Sequence, residues 1–245
     1  MNAIWMRLPF LRSLLRRRLL ARPFPAHWRP ELCARLPWYD ALPDAERRAF
    51  EYHLKLFVWE KHWEGAAGLE VTETMQLIVA ASAARIARKL PLDVYDRLTE
   101  IVIYPSHYRH PDNDHAMIYG QAHGFGTVVL SWDAVEEGIA QPHDAHDTAI
   151  HEFAHVLDVE DGLFDGTPLL ERGRDYRAWV QVMGRHFARL QDDPTHGVLR
   201  AYGAQNEAEF FAVATEAFFE TPAKLKARAP DLYEVLRTYF NVDPG

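Results

Sequence analysis

Two histidines four residues apart, His151 and His155, with a glutamate directly after the first, form the segment of this chain best suited to do chemistry. On a helix, residues four apart share a face, so two imidazoles at that spacing can reach one metal ion. Glu152 then projects close by, where a carboxylate can accept a proton from a metal-bound water. The chemistry this implies is metal-assisted hydrolysis. With a single cysteine, Cys33, the chain has no disulfide framework or cysteine-rich zinc ribbon, so any metal must rest on histidine and carboxylate.

A catalytic zinc ion takes three protein ligands and keeps a fourth position open for water. A third histidine in the pattern H-E-x-x-H-x-x-G-x-x-H is excluded, because Asp158 and Asp161 stand where the glycine and the histidine would be. The other source is a glutamate from a later helix, and the segment from Asn206 to Phe219 offers Glu209 and Glu216. They lie two helical turns apart on one face. Asn206 and Glu209 are also spaced like a capping box, which would engage Glu209 with the backbone instead. Glu207 and Glu220 read as solvated helix ends. Spacing alone leaves both Glu209 and Glu216 open as third ligand.

The elements that position these residues follow from periodicity. Asp144 or Asp147 can cap a helix to which Ile150, Phe153, Ala154 and Leu157 give an apolar surface. Polar groups at 151, 152 and 155 set among such neighbours are costly unless something compensates them, and a metal would. Upstream, Ile101–Tyr104 and Thr127–Trp132 read as strands of a small sheet, the second closely preceding the metal-site helix and able to hold an extended peptide by strand addition. The loop between them carries His107, His110, His115 and His123, whose spacings match no ligand pattern and which read as solvated loop histidines.

From about Pro30 to Leu90 the pattern is helical. Asp44 can cap a helix lined by Phe50, Leu54, Phe57 and Val58, and an Ala- and Ile-rich helix runs from Met75 to Leu90. His53 and His62 read there as packing residues. Further helices are expected over Tyr176–Leu190, Asn206–Phe219 and Thr221–Phe240. The fold class is α+β, mainly helical with a small mixed β-sheet.

Composition sets the outer limits. The 245 residues suffice for one large domain, and 48% hydrophobic with 25% charged residues is ordinary for a globular protein. Residues 1–30 hold seven arginines and no acid, which leaves 20 basic against 35 acidic side chains elsewhere. That acidic body argues against direct nucleic-acid binding. The expected organisation is a basic amphipathic extension over residues 1–29 and one catalytic domain over 30–245. Arginines interrupt every apolar run near the N-terminus, so neither a transmembrane span nor a secretory signal fits. The stripe of Leu11, Leu14, Leu15 and Leu19 suits a helix that docks on the body or makes weak contact with a membrane surface. One cysteine is compatible with a reducing, cytoplasmic setting.

The segment His-Glu-Phe-Ala-His-Val-Leu-Asp-Val-Glu-Asp-Gly at 151–162, followed by Tyr202-Gly-Ala-Gln-Asn-Glu-Ala-Glu209-Phe-Phe-Ala, resembles the Mlc titration factor A family of zinc peptidases. In these two segments it is similar also to the catalytic domain of anthrax lethal factor. The likeness covers most of the chain and implies a zincin-like metallopeptidase domain of the gluzincin kind, with one zinc ion per chain. It implies Glu209 as third ligand beside His151 and His155, with Glu216 in a supporting or structural place. It also implies Glu152 as general base and Tyr202 as the residue that assists the reaction, by donating a hydrogen bond to the oxyanion. The expected activity is peptide-bond hydrolysis on a peptide or protein substrate, with aminopeptidase action as one form it can take. The alternative implied is a regulatory protein that sequesters a Mlc-like transcriptional repressor of sugar uptake.

Overall fold

In the computed structural model the described residues are 9–106, 108–110, 113–118, 120–123, 126–170, 173–194 and 197–245. The chain begins with α1 (Pro9–Ala21), α2 (Trp28–Arg35), α3 (Pro37–Asp40) and α4 (Asp44–Glu60), then β1 (His62–Gly65) and α5 (Glu73–Ala87). Strands β2 (Glu100–Tyr104), β3 (Tyr108–His110), β4 (Asn113–Ile118), β5 (Gly120–His123) and β6 (Thr127–Ser131) follow. The rest is helical: α6 (Trp132–Ala140), α7 (Thr148–Asp158), α8 (Gly173–Asp192), α9 (Glu207–Glu220), α10 (Pro222–Arg228) and α11 (Pro230–Phe240). The α+β class read from the sequence is the architecture found. Among the described residues no helix is long and apolar enough to cross a membrane.

The main sheet has the order β1-β2-β6-β5, with β1, β2 and β6 parallel and β5 antiparallel to β6. Ile101 pairs with Val128 and Ile103 with Leu130, and all four are fully buried. β3 and β4 form a separate antiparallel pair. Because β6 is bonded along both edges, to β2 and to β5, it has no edge left for a peptide, and the strand-addition role expected of Thr127–Trp132 does not hold. Trp132 is also not part of the strand: it begins α6, which separates the sheet from the metal-site helix.

Helices α4, α5, α7 and α9 build the core. α5 is buried nearly all round from Leu77 to Ala87, its alanines allowing α4 and α7 to approach closely. Phe153 on α7 meets Phe57 of α4 edge to face at 5.2 Å and lies beside Tyr95. Burying one such ring is worth about 1.5–3 kcal/mol, and it fixes the rotation of α7. On the other side Phe210, Phe211, Phe218 and Phe219 seat α9, with Phe211 and Phe218 stacked on Phe240 of α11.

Helix α1 lies against α4. Arg16 spans Glu60 and Asp96, Arg12 bonds Asp96, and Lys55 donates to the carbonyls of Leu20 and Arg22 at its C-terminal end. Leu14 and Leu15 face outward.

Several local expectations are corrected. Asp44 is the first helical residue of α4 behind Pro43, and no side-chain cap bond forms there. The stretch Thr221–Phe240 is two helices, broken where Pro230 follows Ala229. His62 belongs to β1, with its side chain exposed, whereas His53 is buried and bonds the Leu90 carbonyl at 3.2 Å. His107 and the side chains of His110, His115 and His123 lie outside the described residues.

Candidate metal centre

Two helix starts aim the site. Asp147 caps α7 by accepting the Ile150 N–H at 2.9 Å, and Asn206 caps α9 by accepting the Glu209 N–H at 2.9 Å. Only the asparagine half of the expected capping box is needed for this. The Glu209 carboxylate is turned away from the backbone and meets the histidines of α7, its Oε2 standing 3.0 Å from His151 Nε2 and 3.5 Å from His155 Nε2. The two Nε2 atoms are 3.2 Å apart. His151, His155 and Glu209 thus converge, and two of the three side chains are buried.

These separations fit a metal ion. Ligand atoms at tetrahedral positions with bonds of about 2.0–2.1 Å are roughly 3.3–3.4 Å apart, close to the spacings found. Proton accounting points the same way. Glu216 accepts the Nδ1–H of His151 at 2.8 Å, so Nε2 of the neutral ring carries a lone pair. That lone pair faces Nε2 of His155 and a carboxylate oxygen, a set of three donor atoms that a metal cation would bridge. Without a metal a proton must serve. Burial opposes a charge on His151, but the hydrogen bonds to Glu209 and Glu216 raise its pKa to about 10. For Glu209 burial is likewise outweighed, and the two histidines bring its carboxyl down to about 2.

Glu216 does not join the converging trio. Fully buried, it accepts from His151 Nδ1, from the Asp147 N–H at 2.8 Å and from Arg200 at 2.5 Å. It thereby ties the imidazole, the start of α7 and a later loop together, the arrangement that fixes the tautomer of a ligating histidine.

Three buried polar atoms here have no hydrogen-bond partner: Glu152 Oε2, His155 Nδ1 and Asp158 Oδ1. Burial lifts the Glu152 carboxyl above the usual carboxylate range, against the pull of His151 and His155. A buried carboxylate oxygen left without a partner beside two imidazoles is a group suited to take up a proton.

Tyr202 sits in a 3-10 turn over Ala201–Ala204 that packs on α9. Its ring lies 5.7 Å from that of His151, and burial together with Glu209 and Glu152 raises its hydroxyl pKa. The residues singled out in the sequence, His151, Glu152, His155, Tyr202 and Glu209, therefore meet in one place. Sequence reasoning missed Arg200 and Phe164, the latter 4.9 Å from the His155 ring. It also misplaced Glu220. Far from being a solvated end, Glu220 is buried, bonded to Arg85 and to the His143 N–H.

Against this geometry, residues 11–241 match the sequence pattern of the family described as glucose-regulated metallo-peptidase M90. A protein of Synechocystis sp. described as uncharacterized is 33% identical, the match covering 93% of this chain and 88% of that one. Mlc titration factor A of Edwardsiella ictaluri is 28% identical over 88% of this chain and 87% of its own length. The Pectobacterium atrosepticum protein of that name is 26% identical over 89% and 86%. The chain belongs to the glucose-regulated metallo-peptidase M90 family.

Proposed function

We propose that this metallopeptidase-family chain is a zinc-dependent peptidase of the gluzincin kind, with His151, His155 and Glu209 holding the ion. The observation that carries the reading is the convergence of those three ligand atoms beside the unpartnered, buried carboxylate oxygen of Glu152. Two imidazoles and one carboxylate are a donor set that suits zinc and leaves a coordination position open. When bound, zinc there would lower the pKa of a water molecule and polarise the scissile carbonyl.

The chain's own groups then divide the work. Glu152 takes the proton from the attacking water as the new C–O bond forms, and returns it to the amine nitrogen as the C–N bond breaks. Its raised pKa favours that return, because a carboxyl that holds a proton easily is a better acid for the leaving amine. Tyr202 is the hydrogen-bond donor to the oxyanion of the tetrahedral intermediate. Glu216 holds His151 in the tautomer that presents Nε2 to the metal. Removal of amino-terminal residues is one form the hydrolysis can take.

The test is a pair of variants. Glu152→Gln is expected to keep one zinc per chain and to lose turnover by at least about 100-fold; undiminished peptide hydrolysis would reject the base. His155→Ala is expected to lose the metal, and a full zinc complement in it would reject the ligand set. A second reading, capture of a Mlc-like repressor, draws on the printed name of the relatives. It needs no general base, so a Glu152→Gln chain that still binds such a repressor would separate capture from cleavage.

A further inference from the structure

Phe164 stands on the segment between α7 and α8. It is 52% exposed, yet its ring lies 4.9 Å from that of His155. Tyr202, 46% exposed, flanks His151 at 5.7 Å. Each histidine of the metal centre is thus bordered by a half-exposed aromatic ring. Single exposed apolar residues are ordinary; these two differ in that each ring borders an imidazole of the metal centre while keeping a solvent-facing side.

The position is built. Gly166 closes the segment, its backbone held by two hydrogen bonds and packed closely against the start of α9. Its N–H donates to the buried Asp158 at 3.0 Å, its carbonyl accepts from Trp179 at 3.0 Å, and a Cβ on it would come within 2.3 Å of the Glu207 carbonyl. Asp158 is one turn beyond His155, and Glu207 opens the helix that carries Glu209. The end of the segment is bonded to α7 and α8 and packs closely against the start of α9, and Phe164 lies two residues before it, beside His155.

We infer that Phe164 selects the substrate: it forms the apolar wall that receives the side chain next to the scissile bond, on the side facing His155, and favours leucine- or phenylalanine-like residues there. The inference rests on the peptidase reading.

The experiment uses the zinc-loaded full chain and two series of short peptides that differ in one residue, on either side of the cleaved bond, among Ala, Leu, Phe and Glu. In one series the wild type should favour Leu or Phe over Ala by roughly tenfold in kcat/KM, the low end for a half-exposed apolar contact. Phe164→Ala should erase that ratio, Phe164→Leu should keep it, and Phe164→Lys should shift preference toward Glu. Binding of the same peptides to Glu152→Gln, with and without Phe164→Ala, should show the same ratios without turnover. Wild-type hydrolysis whose side-chain ratios survive Phe164→Ala would overturn the inference and leave the peptidase reading standing. A uniform loss across all peptides, with a lower melting temperature, would show that the ring only supports the fold, and overturns it too. No hydrolysis of any peptide by zinc-loaded wild type would instead sink the peptidase reading, and the inference with it.

Discussion

Replacing Glu216 by glutamine removes one charge and almost no volume, yet every partner of that carboxylate is a donor. Oε1 receives His151 Nδ1–H and Arg200, and Oε2 receives the Asp147 N–H. An amide supplies one acceptor oxygen and one donor nitrogen, so either orientation sets donor against donor in a fully buried place. With the amide nitrogen toward Asp147, a buried N–H loses its partner, at about 1–3 kcal/mol. With it toward His151, the ring is driven to the tautomer with hydrogen on Nε2, which blocks the metal position. Metal affinity is therefore expected to fall about 10- to 100-fold, the usual cost of losing such a partner and equal to about 1.4–2.7 kcal/mol. Competition against a chromophoric zinc chelator at fixed pH and salt measures this, with the melting temperature of the metal-free variant followed in parallel. A Glu216→Gln chain that melts lower but binds zinc as tightly as the wild type would refute the orienting role and leave Glu216 a structural residue only.

Two other outcomes are expected. Burial holds His53 neutral in the folded chain, lowering its pKa from 6.5 to about 4; the unfolded chain binds more protons in that window, so stability is lost as pH falls from 6.5 toward 4, by about 3 kcal/mol. Urea unfolding across this range should give a flatter pH dependence for His53→Gln, and identical slopes would contradict the assignment. Gly166→Ala combines a backbone φ of +74° with a Cβ 2.3 Å from the Glu207 carbonyl, so it should cost about 1–3 kcal/mol and weaken zinc binding by shifting the start of α9. An unchanged melting temperature would mean that the segment gives way easily.

Much of the site was legible because its chemistry is local in sequence. His151 and His155 share one helical face with Glu152 next to it, and Asp147 is where a cap should be. Glu209 and Glu216 could not be separated by spacing for a reason now visible: both reach His151, one at each ring nitrogen. What escaped depends on distant partners. β1 reads His-Trp-Glu-Gly and β5 Gly-Gln-Ala-His, with no β-branched residue between them, and they are strands because β2 and β6 offer them edges. Glu220 ends its helix as a solvated residue normally would, but Arg85 of α5, 135 residues away in sequence, covers it. Phe164 carries no motif at all and gains meaning only from its distance to His155.

The segment from Gly162 to Gly166 is fastened through backbone groups and through Asp158 and Trp179, none of which belongs to its tip. Phe164 can therefore be exchanged without touching these fastenings, and the change would be felt at the metal centre where its ring borders His155. Preference for a substrate becomes adjustable apart from the fastenings, so new selectivity is open to this scaffold by grafting a different tip between the same two glycines.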